Sequence, residues 1–226
     1  WEALRAHAEN RGLGIFGDMA IYLSYDSVDV WANPELFQLD ENKKMTAVAG
    51  VPPDYFSQTG QLWGNPLFDY ERMKKDNYKW LVHRIAYNLR LYHLLRIDHF
   101  RGFYEYWSID KDSQSATVGK WVKGPQMDIW RELKKTITNP AIVAEDLGII
   151  SDNVKKYLDK TGFYNMRVMQ FGFDGNYDNI HLPHNYSEKN VAYTATHDNN
   201  TTLGWLYELD NETRNNALQY VGFDGN

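Results

Sequence analysis

The chain has 226 residues, 43% of them hydrophobic and 24% charged, which is enough apolar material for the core of one large domain or two small ones. A formal net charge of −6 disfavours nucleic acid as a partner, and the absence of cysteine excludes disulfides and thiolate metal sites. No apolar run approaches the roughly 20 residues of a membrane-spanning helix.

In chain order, residues 1–11 (WEALRAHAENR) predict a helix stopped at Gly12, and 13–22 a buried strand. Residues 24–34 read as polar turns and 35–49 as a hairpin excursion. The stretch 50–69, rich in Gly, Pro and aromatics, reads as a long ordered loop of the kind that forms lids and binding loops. Tyr78, Leu81, Val82, Ile85, Leu89 and Tyr92 share one helical face. Then come a strand at 94–98 (LLRID), a second excursion at 103–124, a helix at 126–136 and a short strand at 141–145 (AIVAE). Ser151 is the expected N-cap of a helix through Lys160, strands follow at 166–171 and 191–196, and a last helix starts near Asp210. Alternation of helices with nearly continuous apolar strands predicts a parallel α/β fold, with five barrel-like strands at 13–22, 94–98, 141–145, 166–171 and 191–196. Helical patterning already at Trp1, with no leader-like segment, predicts a fragment of a longer chain, with 1–226 one catalytic core and insertions near 35–70 and 103–124.

Four of these strands end in charged residues: Gly17-Asp18, Arg96-Ile97-Asp98-His99, Ala144-Glu145-Asp146 and Thr196-His197-Asp198-Asn199. The C-terminal ends of parallel strands are where α/β barrels place their active sites, although one such residue alone could be a helix cap or an ion pair. Arg96 and Asp98 are two apart and share a strand face, and an Arg beside an Asp favours the ionised carboxylate a nucleophile needs. Glu145 follows an apolar run, so burial would raise its pKa and keep it a proton donor; the alternative is a buried Glu paired to a base. His197 and Asp198 can both face one site only if their strand has already turned, because neighbours on a strand point to opposite sides.

No cofactor or metal site is expected. The chain has no Gly-x-Gly-x-x-Gly after a strand, no P-loop, no Gly-x-Ser-x-Gly and no His-Glu-x-x-His, and the Asp110-x-Asp112 start of an EF-hand lacks the later Gly and Glu.

The strings DSVDVWANPELFQLD (26–40), VAGVPPDYFSQTGQLWGNPLF (48–68), RIDHFRGF (96–103), AEDLG (144–148), LPHNY (182–186) and THDNNTTLGW (196–205) resemble the signature of the amylomaltase (4-α-glucanotransferase) family, in that family's order and over essentially the whole chain. The resemblance implies a (β/α)8 barrel, of which about five of eight strands would be present, and transfer of α-1,4-glucan in starch, glycogen or maltose metabolism by a retaining mechanism. It places the nucleophile on Asp98, the acid/base on Glu145 and a transition-state-stabilising carboxylate on Asp198. It places sugar contacts on Asp18, Asp54, Gln61, Trp63, Arg96 and His197, with a stacking lid at Tyr55 and Phe56. The implied partners are α-1,4-glucans and maltooligosaccharides, with neither nucleic acid nor membrane, and the implied location is the cytoplasm. An open barrel would expose strand edges, so self-association is expected. A plain α-glucan hydrolase and an inactive glucan-binding fragment are the alternatives. Three positions depart from the family: Ala20 where Pro is frequent, Asn200 where Asp is frequent, and Gln126 where Gly is usual.

Overall fold

Two kinds of sheet are assembled from the first 163 residues. The elements in order are α1 (Glu2–Glu9), β1 (Phe16–Ala20), α2 (Val28–Ala32), β2 (Ala47–Val51), β3 (Gln61–Pro66), α3 (Tyr70–Lys74), α4 (Lys79–Leu91), β4 (Leu94–Asp98), β5 (Glu105–Asp110), β6 (Lys120–Lys123), α5 (Met127–Thr136), β7 (Ile142–Ala144) and α6 (Asp152–Thr161). A second unit, Tyr164–Asn226, carries β8 (Tyr164–Val168), β9 (Asn190–Tyr193), α7 (Thr202–Glu208) and α8 (Asn211–Tyr220). The structure is a computed structural model that describes residues 1–54, 57–148 and 150–223.

In the first unit β1, β4 and β7 run parallel, with Asp18 opposite Arg96, Ala20 opposite Asp98 and Ile97 opposite Ala144. β4 is covered on both faces: Leu95 and Ile97 are fully buried and Arg96, which points to the other side, is nearly so. Helix α4 packs on β1 and β4 through the predicted stripe, with Leu81 and Ile85 fully buried. Helix α5 lies between α4 and α6 and buries Ile129, Trp130 and Leu133. The centre of this core is aromatic: Trp130 stacks on Phe100 at 5.1 Å and donates its indole N–H to the Tyr157 hydroxyl at 2.5 Å. That bond lets a large amphipathic ring be buried without an unpaired donor. The turn from α4 into β4 crosses β1 so closely that a Cβ at Gly17 would lie 2.0 Å from the Tyr92 ring, so only glycine fits there.

The other sheet is antiparallel, in the order β3-β2-β5-β6. Here the structure corrects the sequence reading. The expected long loop at 50–69 contains β3, and both excursions contribute to this single sheet, β2 pairing with β5 from Ala47↔Asp110 to Gly50↔Trp107. Gly50, Pro52, Pro53, Gly60 and Gly64 break the local alternation that would mark β3, while the β5 partner of β2 sits some sixty residues away, where a local pattern cannot register it. Residues 24–34 contain α2, started by Ser27, whose hydroxyl accepts from the Val30 N–H. The short helices α3 and α7 likewise had no legible period.

In the second unit β8 and β9 are parallel, Val168 opposite Tyr193. Both strands end earlier than expected, β8 passing into a 3-10 turn at Met169–Gly172. Ser151 and Asp210 cap α6 and α8 as predicted. No helix of the described residues is long and apolar enough to cross a membrane.

Candidate active site

Strand register brings the first acidic cluster together. Asp18 and Arg96 are direct neighbours across β1 and β4, and Asp98 lies two residues further along the same face. The Arg96 guanidinium forks between them, Nη1 donating to Asp18 Oδ2 and Nη2 to Asp98 Oδ1, both at 2.7 Å. Short charge-assisted bonds of this kind fix both carboxylates in orientation. The side chain of Arg96 is only 10% exposed, whereas those of Asp18 and Asp98 are 51% and 44% exposed. The arginine is therefore an internal strut, and the carboxylates face open space. Burial alone would lower the Arg96 pKa, but the charges of Asp98, Asp18 and Glu145 outweigh it and raise it.

Glu145 sits at the end of the neighbouring strand β7, and its backbone N–H donates to the Ile97 carbonyl at 3.1 Å. Its carboxyl is held at both oxygens by main chain, Oε2 accepting from the His99 N–H at 2.8 Å and Oε1 from the Leu147 N–H at 2.6 Å. The residue that grips Oε2 is thus the one that follows Asp98. Burial, followed by repulsion from Asp98, pushes the Glu145 carboxyl up to about 7, against the opposing pull of the Leu147 N–H, of Arg96 and of the His99 N–H. A carboxyl raised toward neutrality can give up a proton near neutral pH, while a carboxylate held by an arginine stays ionised, so the two groups could serve as a proton donor and a nucleophile.

Aromatic and amide groups adjoin this cluster. On β3, Trp63 donates its indole N–H to Gln61 Oε1 at 3.0 Å. The Trp63 ring meets His99 edge-on at 4.8 Å and Tyr22 at 6.0 Å. The Asp54 carboxyl accepts from the Ser57 N–H, and a Cβ at Gly148 would lie 3.8 Å from its Oδ2, which places Asp54 over the loop after Glu145. Tyr55 and Phe56 lie outside the described residues. His197 and Asp198 belong to the second unit, in a turn after β9 pinned by Asn199, whose Oδ1 accepts from both the N–H and the hydroxyl of Thr196. The strand has therefore turned before His197, as co-facing of the two required. Their side chains are exposed and 3.5 Å apart, Nε2 to Oδ2. Among the described residues no group of three or more His, Cys, Asp or Glu could hold a metal ion.

One functional candidate escaped the sequence reading. His99 is half-buried against Trp63 in a left-handed backbone conformation, φ 48° and ψ 48°. The only sequence signal was its place beside Asp98, since a φ above zero at a non-glycine residue leaves no periodic trace.

The 4-alpha-glucanotransferase family model matches residues 1–226. A 4-alpha-glucanotransferase of Streptococcus pneumoniae is 47% identical over 98% of this chain and 44% of its own length. One from Aquifex aeolicus is 45% identical over 98% of this chain and 46% of its own length. The solved amylomaltase from Streptococcus agalactiae in complex with acarbose, 42% identical, superposes with a TM-score of 0.96 over all of this chain and 46% of that one. The chain thus has the mixed α/β fold with a parallel sheet seen in that enzyme, and it spans less than half the length of the relatives it matches. By sequence and by fold together, the chain belongs to the 4-alpha-glucanotransferase family.

Proposed function

We propose that this chain carries the catalytic centre of an enzyme that moves α-1,4-glucan segments from a donor maltooligosaccharide to an acceptor sugar, with retention at the anomeric carbon. The observation that carries the reading is the Glu145 carboxyl, raised to about 7 by burial and by Asp98, and gripped by the N–H that follows Asp98. In the first step Asp98 attacks the anomeric carbon while Glu145 gives its proton to the departing glycosidic oxygen. A covalent glucosyl-enzyme and a free shortened glucan result. In the second step an acceptor hydroxyl yields its proton to the Glu145 carboxylate and attacks the anomeric carbon, and Asp98 leaves as the carboxylate. Retention asks for about 5–5.5 Å between the two carboxyl groups. Support comes from the adjacency of β4 and β7 and from the short reach between Glu145 and the residue next to Asp98.

In this reading Asp18, Asp54, Gln61, Trp63, Arg96 and His197 bind sugar, Asp198 supplies the third carboxylate, and Tyr55 and Phe56 form the lid that keeps water from the glucosyl-enzyme. The roles of Asp198, His197, Tyr55 and Phe56 rest on the resemblance alone. The parallel strands of the two units are read as five of the eight of a (β/α)8 barrel. The glucan class is supported by the acarbose complex of the Streptococcus agalactiae relative, acarbose being what that protein binds.

Incubation with maltotriose tests the reading. Transfer yields maltooligosaccharides longer than three units alongside glucose, and the Asp98→Asn protein is expected to lose this by at least about a thousandfold at nearly unchanged melting temperature. Glucose and maltose alone would mean hydrolysis. Binding of maltotriose without turnover would mean a glucan-binding fragment. Either result ends the transferase reading for this chain.

A further inference from the structure

His99, the residue after the nucleophile, takes no part in the chemistry described so far, yet it touches both the acid/base and the aromatic platform. Its backbone is left-handed at φ 48° and ψ 48°, a region that histidine, asparagine and glycine enter but β-branched residues resist. That turn at the end of β4 points its N–H away from the strand ladder and onto Glu145 Oε2 at 2.8 Å. Its ring is closed in on three sides: edge-on to Trp63 at 4.8 Å and 88°, tilted against Tyr22 at 6.1 Å, and 3.4 Å from where a Cβ on Gly102 would stand. Nε2 is out of solvent and has no hydrogen-bond partner among the described residues.

We propose that His99 is the positioning residue of Glu145: its left-handed turn sets the main-chain N–H that orients and tunes the acid/base carboxyl, and its ring ties that turn to the sugar-stacking Trp63. The inference rests on reading Glu145 as the acid/base. Filling the Trp63 face with a glucan unit and setting the proton on Glu145 then share one residue. Desolvation among the aromatic rings, with the charge of Arg101, holds the His99 ring down to about 4, so it stays neutral at working pH and adds no charge to the site. The charged groups that also face Glu145 are Asp98 and Arg96 from β4, with Asp18 acting through Arg96 from β1. The Leu147 N–H holds the other carboxyl oxygen from its own loop.

A direct test titrates the Glu145 carboxyl carbon by NMR in the whole chain carrying 13C-labelled glutamate, assigned by the signal lost in Glu145→Gln. His99→Gly keeps the N–H and enters the left-handed region freely, so Glu145 should titrate near the wild-type pH. His99→Val resists that region, so the N–H should leave Oε2 and Glu145 should titrate about one pH unit higher, a roughly tenfold change in its protonation equilibrium. If His99→Val does not fold, His99→Ala replaces it, with the same direction expected. A purely structural role would lower the melting temperature and leave the titration where it was. Wild-type titration in the Val or Ala protein, or an equal shift in the Gly protein, overturns the proposal. The readout needs no turnover, so inactivity on maltotriose would sink the catalytic reading without deciding this one.

Discussion

Glu145 is a carboxyl kept from water while two backbone N–H groups favour its ionised form, and the balance comes out on the protonated side near neutrality. This has a cost that can be measured. The unfolded carboxyl ionises near its ordinary 4.5 and the folded one near 7, so between those values the unfolded state has released a proton that the folded state retains. Stability contributed by this group is therefore fully present below about 4.5, falls as pH rises toward 7, and is flat above. The gap is worth roughly 3 kcal/mol. Glu145→Gln removes the titration, so its stability relative to wild type should improve by about that amount between pH 4 and pH 8, in urea unfolding followed across pH. Parallel stability curves for the two proteins would mean the carboxyl is not desolvated. The strut beneath it, Arg96, spans Asp18 and Asp98 with two nitrogens of one planar group. A lysine there has a single point charge and could serve only one of them well.

At the scale of elements, the start of α5 carries a strained backbone. Gln126 precedes the helix at φ 50° and ψ −131°, a backbone region nearly closed to residues with a Cβ, and its N–H donates to the Phe103 carbonyl at 2.8 Å. Glycine adopts that conformation without strain. Gln126→Gly should stabilise the chain by about 1 kcal/mol despite the added freedom of the unfolded state. Thermal melts of the two proteins decide it, and a lower melting temperature for the glycine protein would show that the turn is not strained. The helix it starts is worth protecting, because α5 carries Trp130 into the aromatic core on which the end of β4, and hence Asp98, rests.

For the whole molecule the open question concerns strand edges. Among the described residues β1 pairs on one side only, with β4, and its exposed positions include Phe16; in the second unit β9 pairs with β8 alone within that unit. An unpaired edge with apolar flanks is a template for another chain. Light scattering of the purified chain is therefore expected to show a dimer or larger species whose fraction rises with concentration. A monomer at every concentration would mean the edges are adequately screened as they are.

The sequence alone determined the family and where its charged strand ends and helix starts lie, because those signals are carried by short strings of residues adjacent in the chain. Arg96 and Asp98 share a strand face by simple alternation, Glu145 ends an apolar run, and Ser151 and Asp210 announce helix starts through local hydrogen bonds. Only the tertiary structure decided that Asp18 meets Arg96, since 78 residues separate them and strand register alone makes them neighbours. It alone gathered two apparent loop excursions into one antiparallel sheet, whose pairing is non-local and leaves little pattern in either strand. It alone placed His99 between Trp63 and Glu145, through a left-handed turn that no periodicity encodes.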